Sequence, residues 1–289
     1  MALRTLIMGV VNVTPDSFSD GGRFLDSSAA IRHGLLLAQQ GADIVDVGGE
    51  STRPGAHRVS RETEHERVAP VIAELVRSGV TVSVDTMNAS TARLAADLGA
   101  TYINDVSGGL SDEAMAHVAS TSDAYFIASH WRAHSLEMDS AATYVDASQE
   151  ITQELTLRAR ALVAAGVSPN RLILDPGLGF AKAQEHNWQV LDHLSDLGNV
   201  GYPILVGASR KRFLSSLLPP DATLEQRDIA SAAVSLWAAT TGAWGVRVHD
   251  VVATRRAFQL VEEGRLAPSP TGVGAEESAS LMMRQLLDA

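Results

Sequence analysis

The sequence predicts an α/β fold built as a single (β/α)8 barrel, and three observations carry that expectation. Eight short β-rich runs alternate with helical segments along 289 residues. Glycine follows several of the helical segments, where a left-handed C-cap favours it. Nearly every β-rich run also ends in polar or Gly-rich residues that a plain connection does not need. Eight such units in a chain of this length suit a closed parallel sheet, the TIM barrel. A doubly wound sheet is the competing arrangement and suits eight evenly spaced strands less well.

The runs are Leu6–Val11, Ile44–Val47, Thr81–Val84, Thr101–Asn104, Tyr125–Ser129, Leu172–Leu174, Ile204–Val206 and Val246–Val248. Between them, Ala29–Gln40 places Ile31, Leu35 and Ala38 on one helical face, and Glu62–Arg77 does the same with Val68, Ile72 and Leu75. Gln149–Ala165, Trp188–Leu197, Asp228–Thr241 and Ala253–Glu263 read as amphipathic helices too. Gly41, Gly79, Gly99 and Gly166 close helical runs. His134–Ser148 is polar and irregular, which predicts a long loop. The barrel domain is expected over residues 1–265. Residues 266–289, rich in Pro, Gly, Ser and Ala, read as a flexible tail ending in a short helix, Leu281–Leu287.

Composition narrows the function. A net charge of -11 argues against a nucleic-acid surface, which needs a basic face. With no Cys there is no disulfide, thiolate nucleophile or Cys-ligated metal site. No apolar run reaches the roughly 20 residues that span a bilayer. The apolar start runs straight into Asn12-Val-Thr-Pro-Asp without a cleavage pattern, so it reads as a strand rather than a signal peptide. A soluble cytoplasmic protein is expected, acting on small molecules.

The polar residues gather at strand ends. Asn12, Asp46, Asp85-Thr86, Asn104-Asp105, His130-Trp131-Arg132, Asp175, Ser209-Arg210-Lys211 and His249-Asp250 each follow or close a run. In a β/α barrel these ends converge on one rim, where ligands bind. Arg247 and His249 share one face of the last strand and Val246 and Val248 the other, so the polar pair can point into the mouth. Only Lys182 and Lys211 are Lys among the 23 basic residues, so Ser209-Arg210-Lys211-Arg212 is a positive island with a compact ammonium at its centre. Blander readings coexist with these: Asp85 could be an N-cap, Gly48-Gly49 and Gly177/Gly179 ordinary turns, and His130 a hydrogen-bonded rim residue.

The inventory limits the chemistry. P-loop, dinucleotide and nucleophile-elbow motifs are missing. Glu50, Asp85 and Asp175 could be imagined as a glycosidase acid/base set, but aromatic platforms for sugars are scarce. The rim instead offers Asn and Asp oxygens, one Lys, several Arg and a His. Hard oxygens such as that of Asn12 suit Mg²⁺ bound together with substrate phosphates, and Arg and Lys suit the phosphates themselves. An Asp with an Asn suits the edge of an amidine-like heterocycle.

These residues resemble those of the dihydropteroate synthase family of pterin-binding enzymes. The matching stretches are Asn12-Val-Thr-Pro-Asp-Ser-Phe-Ser-Asp-Gly-Gly22, Gly48-Gly-Glu-Ser-Thr-Arg-Pro-Gly55, Ser83-Val-Asp-Thr86, Ile103-Asn-Asp-Val-Ser-Gly-Gly109, Leu174-Asp-Pro-Gly-Leu-Gly-Phe180, Ser209-Arg-Lys211 and Val246-Arg-Val-His249. They run in family order from residue 6 to about 263. The resemblance implies a (β/α)8 enzyme of folate biosynthesis, a transferase joining 6-hydroxymethyl-7,8-dihydropterin diphosphate to 4-aminobenzoate, and a sulfonamide target. It implies that Asp85, Asn104, Asp175 and Lys211 hold the pterin, with Arg247 stacked over it. It implies Mg²⁺ on Asn12, with Thr52, Arg247 and His249 on the diphosphate. Phe18, Arg53, Pro54 and Ser209 would shape the aminobenzoate pocket, the first two loops would close over the site, and the chain would form a homodimer. Asp85, Asp175, Lys211, Arg247 and His249 are the expected catalytic set.

Two positions depart from the common family pattern. Ser129 stands where many members carry Met, and Arg212 where many carry Ser. Altered packing under the pterin and an altered approach of the aminobenzoate carboxylate are the expected consequences, with sulfonamide affinity changed and activity kept. A corrinoid methyltransferase of the same barrel type would lack both the Thr-Pro-Asp-Ser-Phe-Ser-Asp-Gly-Gly loop and Ser-Arg-Lys. A silent pterin-binding paralogue would be signalled by loss of Asn12, Lys211 or His249, and all three are present.

Overall fold

The computed structural model describes residues 4–14, 23–51, 58–134, 140–266 and 272–288. Eight parallel strands form one sheet: β1 (Leu6–Asn12), β2 (Ile44–Gly48), β3 (Val82–Asp85), β4 (Tyr102–Asp105), β5 (Tyr125–Ser129), β6 (Leu172–Asp175), β7 (Leu205–Val206) and β8 (Gly245–Val248). The order is β6-β5-β4-β3-β2-β1-β8-β7. The ring is completed by a parallel bridge from Leu174 to Ile204, with Leu174 N–H donating to the Pro203 carbonyl at 2.9 Å. All eight strands lie where the hydrophobic runs predicted them, most displaced by one residue at an end.

Helices α1 (Arg23–Gln39), α2 (Arg61–Arg77), α3 (Ala89–Asp97), α4 (Met115–Thr121), α5 (Ala147–Ala164), α6 (Gln184–Asp192), α7 (Leu194–Gly198), α8 (Leu224–Thr240), α9 (Val251–Glu262) and α10 (Ala275–Leu287) surround the sheet. The helix expected over Trp188–Leu197 is two, α6 and α7, broken at His193. Sequence reading named no range for α3 and α4. They are short, and α3 buries mainly Ala and Thr, which carry little hydrophobic contrast. Gly41, Gly79, Gly99 and Gly166 do close helices, with φ of 98°, 79°, 97° and 100°.

Within the expected tail, residues 275–287 form α10, which begins six residues before the predicted Leu281. Its Ala275, Ala279, Met282 and Met283 are buried, and it packs on α8. This explains why α8 has no polar outer stripe: Ala230 to Ala239 is buried throughout, between the barrel on one side and α10 on the other. A reciprocal capping box of Thr223 and Gln226 starts α8.

Inside the barrel, alternation along the strands produces layers. Met8, Ile44, Ile127, Ile173 and Leu205 make an apolar plug, backed by Leu6, Tyr102 and Trp244. One or two steps of the same parity later, the inward residues turn polar: Ile44 gives way to Asp46, Ile173 to Asp175, and Met8 and Val10 to Asn12. The outward residues mostly stay apolar and join the helix-facing core, as Val246 and Val248 do; Asp105, which accepts from the Ser107 and Gly109 N–H groups, is an exception.

The end of β3 is fixed by a buried carboxylate. Glu64 of α2 accepts from Thr86 Oγ1 at 2.8 Å, Asn88 Nδ2 at 2.6 Å and Thr91 Oγ1 at 2.7 Å. Its side chain also crowds Gly49, where an added Cβ would lie 3.0 Å from Glu64 Cγ and 2.8 Å from Val68. Glu64 thus ties α2 to the segments that follow β2 and β3. Glu64→Ala, which orphans three buried donors, should cost roughly 3 kcal/mol in urea unfolding, with Glu64→Gln costing less. An unchanged midpoint for Glu64→Ala would refute this role.

Candidate active site

The polar ends of the strands surround one cavity of about 960 Å³. Of the residues nominated from sequence, Asn12, Asp85, Asn104 and Asp175 all line it. So do Ser209, Lys211, Arg247 and His249, which come from β7, β8 and the segments that follow them. Residues separated by some 240 positions of chain therefore share one chamber. Phe18, Thr52, Arg53 and Pro54, and with them the closing loops, lie outside the described residues.

The floor is held by Arg247. Its Nε donates to Asp46 Oδ2 at 2.6 Å and an Nη to Asp85 Oδ2 at 2.8 Å. Asn104 Nδ2 donates to the same Asp46 oxygen at 3.2 Å, while Asn104 Oδ1 and Asp46 Oδ1 are buried without a partner. A buried acceptor left unpaired is costly, and a donor-bearing ligand at Asn104 would relieve it. Burial pushes Asp85 up, to about 7, although the Arg247 guanidinium pulls the other way and the carboxylate of Asp46 adds to the rise. Burial likewise raises Asp175, opposed first by the charge of Lys211 and then by the Gly177 N–H.

Asp175, Lys211 and Arg247 converge on Gly207. A Cβ at that glycine would sit 3.9 Å from Asp175 Oδ2, 3.9 Å from Lys211 Nζ and 3.7 Å from Arg247 Cβ. Desolvation lowers Lys211 to about 8, with Asp175 resisting. Its stem lies against Gly179, where a Cβ would come within 2.8 Å, and its ammonium is 4.5 Å from the Phe180 ring centroid. Lys211 donates to the carbonyl of Leu178. Ser209 Oγ and His249 Nδ1 are 3.0 Å apart, and His249 N–H donates to the same hydroxyl.

The structure sorts the remaining strand-end residues. Asp85 is not a helix cap, since the N-cap of α3 is Asn88; Asp250 is one, accepting from Ala253 N–H at 2.9 Å. The basic island Arg210, Lys211 and Arg212 lines the cavity, with the Arg210 guanidinium engaged in a bidentate pair with Asp228 at 2.7 and 2.9 Å. Glu50 is bound to Arg58 Nε and the Val59 N–H and does not line the cavity, so the glycosidase set loses a member. His130 is buried, off the cavity wall, and pushed down to about 4 by burial and by Lys182. Asp46, read as a strand-end residue, and Lys182, read only as a rare Lys, carry no ligand role in the sequence reading. Asp46 had a signal: it is the one carboxylate inside an apolar strand, on the parity of Ile44. Lys182 had only its rarity.

A parallel barrel whose mouth combines buried carboxylates, an amide with an unpaired oxygen and inward cations defines a site for a polar heterocycle bearing negative charge. Comparison with known proteins narrows this. The family model described as "Pterin binding enzyme" matches residues 8–249. A dihydropteroate synthase of Mycobacterium leprae is 49% identical over 264 residues, covering 88% of this chain and 92% of its own. The solved dihydropteroate synthase of Xanthomonas albilineans with 4-aminobenzoic acid superimposes with a TM-score of 0.84 at 41% identity, covering 92% of this chain and 94% of that one. The same organism's enzyme in complex with 7,8-dihydropteroate gives 0.81 at 38% identity, covering 93% and 97%. The chain belongs to the pterin-binding enzyme family, in its dihydropteroate synthase branch.

Arg247→Met tests the electrostatics of the floor. Because Asp85 is raised to about 7 in the fold, stability falls as pH rises from the ordinary carboxylate range to about 7, where the unfolded chain is ionised and the native carboxyl is not, and levels off above it. Loss of Arg247 should raise Asp85 further. The variant's stability deficit in urea should therefore exceed its deficit at about pH 6 by roughly 1 kcal/mol or more at about pH 8.5. A deficit independent of pH would contradict the assignment.

Proposed function

We propose that the cavity condenses 6-hydroxymethyl-7,8-dihydropterin diphosphate with 4-aminobenzoate, giving 7,8-dihydropteroate and diphosphate. The observation that carries this is the pairing of two chemistries in one chamber: carboxylates and an unpaired amide oxygen on one arc, cations with a Ser–His pair on the other. A pterin edge presents N–H donors beside acceptors. Asp85, Asp175 and Asn104 take the donors, Lys211 serves an acceptor, and Arg247 packs its planar guanidinium over the ring.

The reaction breaks the bond between the pterin methylene and the diphosphate oxygen, and the electron pair leaves with diphosphate. The methylene gains cationic character, which the nearby carboxylates Asp85 and Asp175 stabilise through a medium that excludes water. Arg247, His249 and Thr52 hold the departing charge. The arylamine nitrogen closes the new bond and gives up a proton, so no covalent enzyme nucleophile is needed. Ser209, Phe18, Arg53 and Pro54 form the aminobenzoate pocket, and a sulfonamide, itself an arylamine, competes there.

Asn12 fits a Mg²⁺ role of a particular kind. Among the described residues no cluster of three or more His, Asp or Glu side chains could cage a metal, whereas Asn12 brings one hard oxygen to the cavity wall. Mg²⁺ is commonly held by one or two protein oxygens with waters and substrate phosphates. Bound there with the diphosphate, it would supply further charge neutralisation for the leaving group.

Among the described residues no helix is long and apolar enough to cross a membrane. Our reading places the chain in the cytoplasm as a homodimer. Light scattering should return twice the 30.6 kDa chain mass, and a mass of one chain would contradict it. For the reaction, diphosphate release should require both 4-aminobenzoate and Mg²⁺, and His249→Ala should lower turnover about a hundredfold or more. Pterin binding without release would instead mark a silent pterin-binding protein.

A further inference from the structure

Lys182 is a buried cation that the reaction above leaves unused. It closes the β6–α6 loop, 176–183, the loop that furnishes the Leu178 carbonyl to Lys211 and the Gly177 N–H to Asp175 Oδ1 at 2.7 Å. Its Nζ lies 3.0 Å from each of three acceptors: His130 Nδ1, the Gly177 carbonyl and the Phe180 carbonyl. An ammonium has three hydrogens, and all are used by the protein, so none is left for a ligand although the side chain lies in the cavity wall.

The partners of His130 select the charged form of Lys182. With Nδ1 accepting, Nε2 carries the hydrogen and donates to Glu154 Oε2 at 2.8 Å. A neutral amine would have to accept from Nδ1–H, which would turn the bare Nε2 lone pair toward the Glu154 carboxylate at that distance. Glu154 is itself held by Arg132, which also binds Glu150 at 2.9 Å. The loop and His130 are in close apposition: Gly177 has φ 64°, and a Cβ there would lie 2.3 Å from the His130 carbonyl.

We propose that Lys182 is a positioning residue for pterin recognition, tying loop 176–181 to His130 so that Asp175 and Lys211 keep their places at the ring. This rests on the pterin reading of the cavity. Lys182 touches no reacting atom and acts through the two residues that do.

Two variants test it. Lys182→Met keeps the stem and removes the donors; Glu154→Gln lies off the cavity wall and replaces the carboxylate that holds His130 Nε2–H by a weaker, neutral acceptor. Calorimetric binding of the pterin diphosphate should weaken about tenfold in Lys182→Met, which is about 1.4 kcal/mol, and by a smaller factor in Glu154→Gln. The urea midpoint of Glu154→Gln should stay near wild type, and the side-chain ¹⁵N resonances of His130 should report loss of the Nε2–H tautomer in Lys182→Met, where Nδ1 has lost its donor. Unchanged pterin affinity in both overturns the inference. Weakening in Lys182→Met alone, with Glu154→Gln binding as wild type, assigns Lys182 to direct substrate contact and overturns it as well. Should Lys182→Met fail to fold, Glu154→Gln decides. Failure of the wild type to bind the pterin diphosphate would instead remove the reading of the cavity, and this inference with it.

Discussion

The constraint on which the site depends is the burial of opposite charges at the mouth of a barrel. Asp46, Asp85 and Asp175 project from the inner face above an apolar plug, where carboxylates are poorly solvated. Arg247 joins two of them and Lys211 approaches the third. Neither cation can be removed without leaving an uncompensated charge, and the Arg247 cluster is not fully satisfied without a ligand, because Asn104 Oδ1 and Asp46 Oδ1 still lack donors. Such a site gives up stability to hold groups that a polar heterocycle then completes.

The scaffold holds these charges through carboxylates and cations one layer further out. Glu64 fixes the segment after Asp85, Asp228 anchors Arg210 beside Lys211, and Glu154 orients His130 and, through it, Lys182. Each is a buried or half-buried polar group; Glu64 reaches residues of the next β/α unit, and Lys182 reaches His130 of the preceding one, while Asp228 and Glu154 hold residues of their own units. The units are therefore coupled through polar contacts at the rim and through apolar packing elsewhere. The two departures from the family pattern fall within this frame: Ser129 and Arg212 both line the cavity, and neither replaces a residue that we assign to the pterin or the diphosphate.

Much of the fold was legible because strand and helix periodicities differ and because glycine marks helix ends. All eight strands could be read from short apolar runs, and the inward pointing of Arg247 and His249 followed from parity alone. Helices α3 and α4 could not be read: α3 buries only Ala and Thr, which cover little apolar area, and α4 is only seven residues long. The packing of α10 was hidden for a different reason: whether Met282 and Met283 are buried depends on what α8 presents to them, which is a property of two distant segments. In the site, strand-end position found eight lining residues. It could not separate Asp85, in the cavity, from Asp250, a cap, because both precede helices. It could not see Lys182 either, because that role rests on His130 and Glu154, which only the fold brings together.

The central claim is that burial holds Asp85 partly protonated near pH 7 until a pterin arrives. Proton release on binding 7,8-dihydropterin, measured near pH 7 by calorimetry in buffers of different ionisation enthalpy, tests it most directly. With Asp85 pushed up to about 7, binding should release a fraction of a proton, and Asp85→Asn should abolish that release. Binding with no net proton exchange, or with release that persists in Asp85→Asn, would contradict the account.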